Sequence, residues 1–324
     1  MITSPDPAPV ADLIDAFRRS KTMFAAVQLG VFDRTPATLA ELTAVLSADA
    51  GALERLLDGC VGLGFLQKDG GLYANTTVAD AYLRRSSPQT LAGYVLYSNQ
   101  VLFRMWANLE DAVLDGTHRW QQTFRFEGPI FNHFFQTEEA RRDFLTGMHG
   151  FGLLSSPAVV AAFDLSRFRR LVDLGGATGH LALAAQERYP QLSAAVFDLP
   201  GVVPYVKGVE AIAGDFFADP LPSADLYAVG RILHDWTEEK IRVLLSKTFD
   251  SLPEGGGLLI AERLLEEDKS GPVPALMQSL NMLICTEGRE RTLSEYEALL
   301  RDAGFRGIRG KRTGAPLDAV LAIK

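Results

Sequence analysis

The sequence predicts an α/β protein, with a doubly wound sheet in its C-terminal half and a mostly helical region of winged-helix pattern ahead of it. Three observations carry that expectation. From Phe168 onward, short apolar runs alternate with helical segments. The first of those runs ends in a glycine-rich turn, "VDLGGATGHLA". Ahead of residue 80 stand a helix, a turn, a second helix and a hairpin signal.

The chain has 324 residues, enough for two domains with sizeable cores. It is 47% hydrophobic and 22% charged, as globular proteins are. A formal net charge of -8 and a pI of about 5.2 give no electrostatic attraction to nucleic acid or to an anionic membrane. Cys60 and Cys285 form neither a disulfide framework nor a metal-ligand spacing, and a reducing cytoplasm is the expected compartment. The opening residues, "MITSPDPAPV", lack the basic and apolar regions of a signal peptide. No apolar run is expected to approach the ~18 residues of a membrane span.

Residues 11–30 place Leu13, Ile14, Phe17, Phe24, Val27 and Leu29 at roughly helical spacing. Thr38 and Glu41 form a capping-box signal. Asp69, Gly70 and Gly71 lie between two short strands, as in a hairpin. The second helix of the winged-helix pattern, Ala50 to Leu63, has Arg55 as its one basic residue, close to Glu54 and Asp58. A DNA-recognition helix presents several Lys or Arg. This one presents Leu53, Leu56, Leu57 and Val61, so a packing or dimerisation module is expected. Residues 95–165 read as amphipathic helix rich in aromatics, including Trp106, Trp120, Phe131, Phe134, Phe135 and Phe144. Such a segment can line a pocket for a flat apolar substrate as well as fill a core.

The C-terminal half reads as six strands: "RLVDLGG", "SAAVFDLP", "EAIAGDFF", "ADLYAVG", "GGLLIAERLL" and "DAVLAIK". The turn after the first fails both phosphate-binding patterns. A dinucleotide loop started at Gly175 needs glycine where Ala177 and His180 stand, and a phosphate loop fails at the same place. What remains is D-x-G-x-x-x-G, with Asp173, Gly175 and Gly179. It suits a ligand without a pyrophosphate, whose amino-acid moiety the backbone can approach closely. Asp198, at the end of the second strand, is placed for ribose hydroxyls. Asp215 and Phe216, after the third, suit an adenine amino group and ring. Glycine loop, ribose acid and Asp-aromatic pair together describe S-adenosylmethionine better than NAD.

The fourth strand emerges into "RILHDW", Arg231 to Trp236. In open α/β sheets ligands bind at the carboxyl ends of the strands. His234 ends the fourth strand and Glu262 the fifth, and these are expected to be neighbours. A carboxylate beside an imidazole fixes its tautomer and stabilises the imidazolium. A phenol with pKa near ~10 benefits from a base near neutral pH, and histidine is suited to that task. Asp235 reads equally as the N-cap of the following helix or as a substrate ligand, and Trp236 as packing. His118, His133, His149 and His180 show no ligand spacing, and no metal is expected.

The sequence resembles the S-adenosylmethionine-dependent small-molecule O-methyltransferases of the plant caffeate and bacterial antibiotic type. The likeness runs from "MFAAVQLGVFD" through "GDFFADPLPSADLY" and "RILHDW" to "SLNMLICTEGRERT", and it is strongest toward the acetylserotonin-methylating branch. It implies a winged-helix-like dimerisation domain at residues 1–95, a helical pocket-forming linker at 96–165, and a Rossmann-like class I methyltransferase domain at 166–324. It implies cofactor contacts from Gly175, Asp198, Asp215, Phe216 and Arg231. It implies a general base at His234, flanked by Glu262 and Glu290. For the substrate it points to Asp235, Asn281, Cys285, Phe135 and Met148. Cys285 stands where that branch has Gln, and Phe135 where it has Tyr. The partners expected are a small aromatic hydroxylated acceptor and a second copy of the chain, joined through the N-terminal domain. N-methylation, cofactor-assisted decarboxylation or hydroxylation, and a non-enzymatic winged-helix regulator are the competing expectations.

Overall fold

A computed structural model describes residues 5–128, 131, 135 and 137–324; His133 and Phe134 lie outside the described residues. The chain forms two compact units, Met1–Phe103 and Arg104–Lys324.

In the first unit, the helix Ala8–Leu29 ends where Gly30 turns left-handed. Its C-terminal end buries Ala26 and Val27 in a core with Phe32, Leu42, Leu57 and Cys60. Its N-terminal half behaves differently. Val10, Leu13, Ile14 and Phe17 fall on one helical stripe, and each is more than half exposed. Strand β1 (Ala37–Thr38) leads into helix Leu39–Leu46, and Thr38 and Glu41 make the expected capping box. Helix Ala50–Gly62 sinks Leu53, Leu57 and Cys60 into the core. Its Asp58 and Glu54 are bridged by Lys68, at 2.9 and 3.5 Å. Lys68 belongs to the expected hairpin, β2 (Leu66–Asp69) and β3 (Leu72–Asn75), and β1 adds a third strand to it.

In the second unit, the middle region is helical but broken. Helices Leu109–Asp115 and Trp120–Phe124 each end at a left-handed residue, Gly116 and Arg125. The helix Glu138–Ala161 follows, capped by Thr137. Contrary to expectation, it is long and apolar enough in composition to span a bilayer. It carries Arg141, Arg142 and Asp143, however, and it packs Val159 and Val160 into the core of this unit.

The main sheet is built from β4 (Arg170–Leu174), β5 (Ser193–Asp198), β6 (Glu210–Ala213), β7 (Leu226–Gly230) and β8 (Gly257–Glu262). Two short strands, β9 (Leu264–Leu265) and β10 (Arg291–Thr292), pair parallel beside it. Strands β11 (Arg306–Lys311) and β12 (Asp318–Ile323) complete an order of β11-β12-β8-β7-β4-β5-β6. Strands β6 through β8 are parallel, and β12 and β11 run antiparallel at one edge. Alternate residues serve the two faces. Val172, Tyr227 and Ile260 pack under helices Glu238–Ser251 and Leu293–Asp302. Leu171, Ala228 and Leu259 pack under Glu138–Ala161 and His180–Arg188. Burial on both faces is why these strands are continuous apolar runs.

Strand β11, "RGIRGK", is the one main-sheet strand the sequence did not signal. It lies on the edge with mostly exposed residues, so it needs no apolar face, and its Arg and Lys protect the edge from further pairing. Strand β4 has β5 on one side and β7 on the other, which makes its carboxyl end the switch point where ligands bind in such sheets.

Candidate active site

The glycine turn lies at that switch point. Gly175 has φ +70, and a Cβ there would come within 2.5 Å of Ile232 and 3.3 Å of the Phe216 ring. Glycine alone keeps this surface open beside an aromatic face. The Ala177 N–H donates to Asp198 Oδ2 at 2.9 Å, so the acid expected at the ribose also ties down the loop. Asp173 is buried below the turn, and its Oδ2 has no hydrogen-bond partner. Burial first, then the nearby charge of Asp198, pushes Asp173 up to about 8. Asp215 accepts from the Phe217 N–H at 2.8 Å, fixing the turn that presents Phe216.

Arg231 follows β7 with φ +58, a left-handed conformation that a non-glycine residue adopts at some cost. That turn directs its guanidinium over the Phe151 ring at 5.0 Å, with Nη1 buried and unpartnered. An unpaired buried donor suits an anionic ligand group. The open cradle, the adjacent ring, the two acids and this guanidinium fit an adenosine joined to an amino acid.

His234 lies in the 3₁₀ turn Leu233–Asp235. Its ring is buried, and Nδ1 meets Glu290 Oε1 at 2.7 Å and Glu262 Oε2 at 3.3 Å. The two carboxylates do different work. Glu262, at the end of β8, accepts from the backbone N–H groups of Ile232, Leu233 and His234 at 3.0, 2.9 and 3.4 Å. It therefore clamps the turn that carries the ring. Glu290 is the direct partner of Nδ1, delivered from 56 residues downstream. Gly288 brings it there, because a Cβ on Gly288 would lie 2.2 Å from the His234 carbonyl oxygen. One ligand atom from each of His234, Glu262 and Glu290 lies within 4.8 Å of the others, a spacing that a metal could use. A separation of 2.7 Å is a hydrogen-bond length, however, and two ligands about 2.0–2.2 Å from one tetrahedral ion stand farther apart.

Asp235 does not cap the next helix. Thr237 does, accepting from the Lys240 N–H. Asp235 instead lies on the Nε2 side of the imidazole, with Oδ1 at 3.7 Å from that nitrogen. Asn281 Oδ1 accepts from the Trp106 indole at 2.9 Å, and because indole only donates, the Asn281 amino group stays available. Cys285, one helical turn on, is buried with Sγ at 3.8 Å from that same oxygen. Trp236 packs against the core. It sits between Phe217 at 5.1 Å and Phe131 at 5.3 Å, and Phe135 continues the row at 6.1 Å from Phe131. A line of rings thus leads from the cofactor turn into the middle segment. Met148 is half-buried on the long helix, and its neighbour His149 meets Thr178 of the glycine turn at 2.8 Å.

A fold with this cradle and an imidazole–carboxylate pair at adjacent strand ends defines a methyl-transferring enzyme. Residues 106–306 match the O-methyltransferase domain, and residues 11–85 match the O-methyltransferase dimerisation domain. The chain belongs to the O-methyltransferase family, whose members take their methyl group from S-adenosylmethionine. It is 42% identical to acetylserotonin O-methyltransferase of Bos taurus over 96% of this chain and 95% of the relative. It is 39% identical to a probable bifunctional dTTP/UTP pyrophosphatase/methyltransferase protein of Homo sapiens, over 99% of this chain and 54% of that longer protein. The crystal structure of human N-acetylserotonin methyltransferase in complex with SAM superposes with a TM-score of 0.95 at 38% identity, covering 100% of this chain and 99% of that one.

The buried acids make stability pH-dependent. Burial lifts Asp198 to about 6, Asp235 to about 7 and Asp173 to about 8, and it raises Glu262 and Glu290 as well. All lie above the ~4 of an unfolded chain, so the folded state keeps protons that the unfolded chain has lost. That contribution is complete at low pH and is lost as pH rises toward 8. The melting temperature of the ligand-free protein is expected to fall between about pH 5 and pH 8. A melting temperature that rises across this range contradicts the assignment.

Proposed function

We propose that this enzyme methylates a hydroxyl of a small planar aromatic acceptor, a hydroxyindole or related phenol, with His234 as general base. The observation that carries the reading is the 2.7 Å contact between His234 Nδ1 and Glu290. With the shared proton on Nδ1, Nε2 presents a lone pair to the acceptor hydroxyl. Glu290 then stabilises the imidazolium as the proton arrives. S-adenosylmethionine supplies an activated methyl group with its own leaving group. Gly175, Asp198, Asp215, Phe216 and Arg231 hold it, with Asp173 beneath. The protein's remaining task is alignment. Trp236, Phe131, Phe135 and Met148, from the helical segment 96–165 and the turn after β7, sandwich the ring. Asp235 and the Asn281 amino group hold its polar substituents.

The bovine relative is named for acetylserotonin, a hydroxyindole. A thiol at Cys285 supplies no second carboxamide, so the acceptor need not carry an acetamide arm. Incubation with N-acetylserotonin, serotonin and simple phenols, followed by product mass and the site of methylation, tests this reading. O-methylation of at least one hydroxyindole or phenol supports it. Methylation on nitrogen alone, or decarboxylated or hydroxylated product, overturns it.

We also propose a cytoplasmic homodimer. Both cysteines are free, as a reducing compartment maintains them. Leu13, Ile14 and Phe17, of the stripe that begins at Val10, form an unburied apolar face within a dimerisation domain. Leu13→Glu together with Phe17→Glu is expected to halve the mass seen by sedimentation, and an unchanged mass refutes this interface.

A further inference from the structure

Behind the imidazole lies a buried cation that the reaction outlined above does not use. Arg291 is 1% exposed and ranks among the largest fully buried side chains. Its Nη1 donates to the Leu233 carbonyl at 3.3 Å and to the Arg289 carbonyl at 3.0 Å. Leu233 immediately precedes His234, and Arg289 immediately precedes Glu290. One guanidinium group therefore ties together the two main-chain segments that carry the base and its carboxylate partner. Its own backbone is fixed from both sides. Strand β10 pairs with β9 just beyond Glu262, and Thr292 caps the helix Leu293–Asp302.

We infer that Arg291 is a positioning residue for the reaction, holding His234 and Glu290 in register from behind and neutralising the carboxylate pair. The inference rests on the reading of His234 as base. Burying two carboxylates beside one imidazole is unfavourable unless cations compensate them. Glu290 faces Arg231, Arg263, Arg291 and Asp318; burial raises it, and the three guanidinium groups draw it back toward the carboxylate form. His234 lies on its other side, with Glu262 and Asp235 beyond, and the buried Tyr296 ring completes the layer. Of the three guanidinium groups, Arg231 and Arg263 both lie over the Phe151 ring, and Arg231 is committed to the cofactor cradle. Arg291 is bonded to the backbone of both segments.

The test compares Arg291→Met and Arg291→Lys with the unaltered enzyme. Three quantities are read: the pH profile of kcat, the affinity for S-adenosylhomocysteine, and the far-downfield proton NMR signal of a buried Nδ1–H. Loss of the cation favours protonation of Glu290, whose carboxylate form the base requires. The rising limb of kcat should therefore move to higher pH in R291M, by about one unit, and kcat at neutral pH should fall roughly 10- to 100-fold. The downfield signal should broaden or vanish, with S-adenosylhomocysteine affinity unchanged. R291K keeps the charge but not the fork. Its limb should stay in place, while kcat falls several-fold at constant KM. If R291M does not fold, R291K decides: full kcat with only a lowered melting temperature overturns the inference. So do folded variants that keep both the limb and the signal. Absence of the downfield signal in the unaltered enzyme instead refutes the His234–Glu290 pairing itself, and so the two failures are told apart.

Discussion

Replacement of His234 by alanine is expected to lower kcat by about 10²–10⁴-fold while leaving cofactor affinity unchanged. The nearest polar partner of the imidazole is Glu290, and Gly175 packs instead against Ile232 and Phe216, so removal of the imidazole should leave the cradle around Gly175 intact. The residual rate should rise with pH, because an acceptor phenol that ionises near ~10 no longer needs a base. Rates from pH 7 to 10, with calorimetry of S-adenosylhomocysteine binding, check both halves. Turnover within a few-fold of the unaltered enzyme at pH 7 would falsify the base assignment. Glu290→Gln should follow the same direction more weakly, since glutamine can still accept from Nδ1 but cannot offset the imidazolium charge.

The second large effect is one of stability. Glu262→Ala removes the acceptor for three buried N–H groups at once, and each unsatisfied donor costs about 1–3 kcal/mol. A loss of about 3 kcal/mol or more is expected, read from denaturant unfolding. Glu262→Gln keeps an acceptor oxygen and removes a buried charge, so it should recover most of that loss. If Ala and Gln prove equally destabilising, the clamp is not what Glu262 provides. The contrast would separate two carboxylates that look alike in the sequence: on the proposed mechanism Glu290 should chiefly affect rate, and Glu262 the shape of the turn.

How much of this was legible in the chain depends on the kind of signal. Strands buried on both faces announce themselves as apolar runs, and the cofactor turn follows from glycines and acids at successive strand ends. Strand β11 gave no such signal, because an exposed edge strand of Arg, Gly and Lys has no apolar face to pattern. Asp235 suits an N-cap by residue type, but the backbone path places Thr237 there, so the cap of helix Glu238–Ser251 was misplaced by two residues. The pairing of His234 with Glu290 spans 56 residues. No local periodicity encodes it, and it came only through likeness to a family. Arg291 was missed for a related reason. A lone arginine beside a glutamate reads as surface, and its burial depends on β10 being held under the sheet's edge.

Gly288 sets that pairing by main chain against main chain, with no side chain between. The approach of the two main-chain segments that carry His234 and Glu290 is therefore fixed by the backbone itself. Residues such as Asn281 and Cys285, on the preceding helix, can be exchanged without disturbing it. If His234 is the base proposed above, a lineage bearing this loop is free to drift from one acceptor to another while its proton-transfer pair stays as it was.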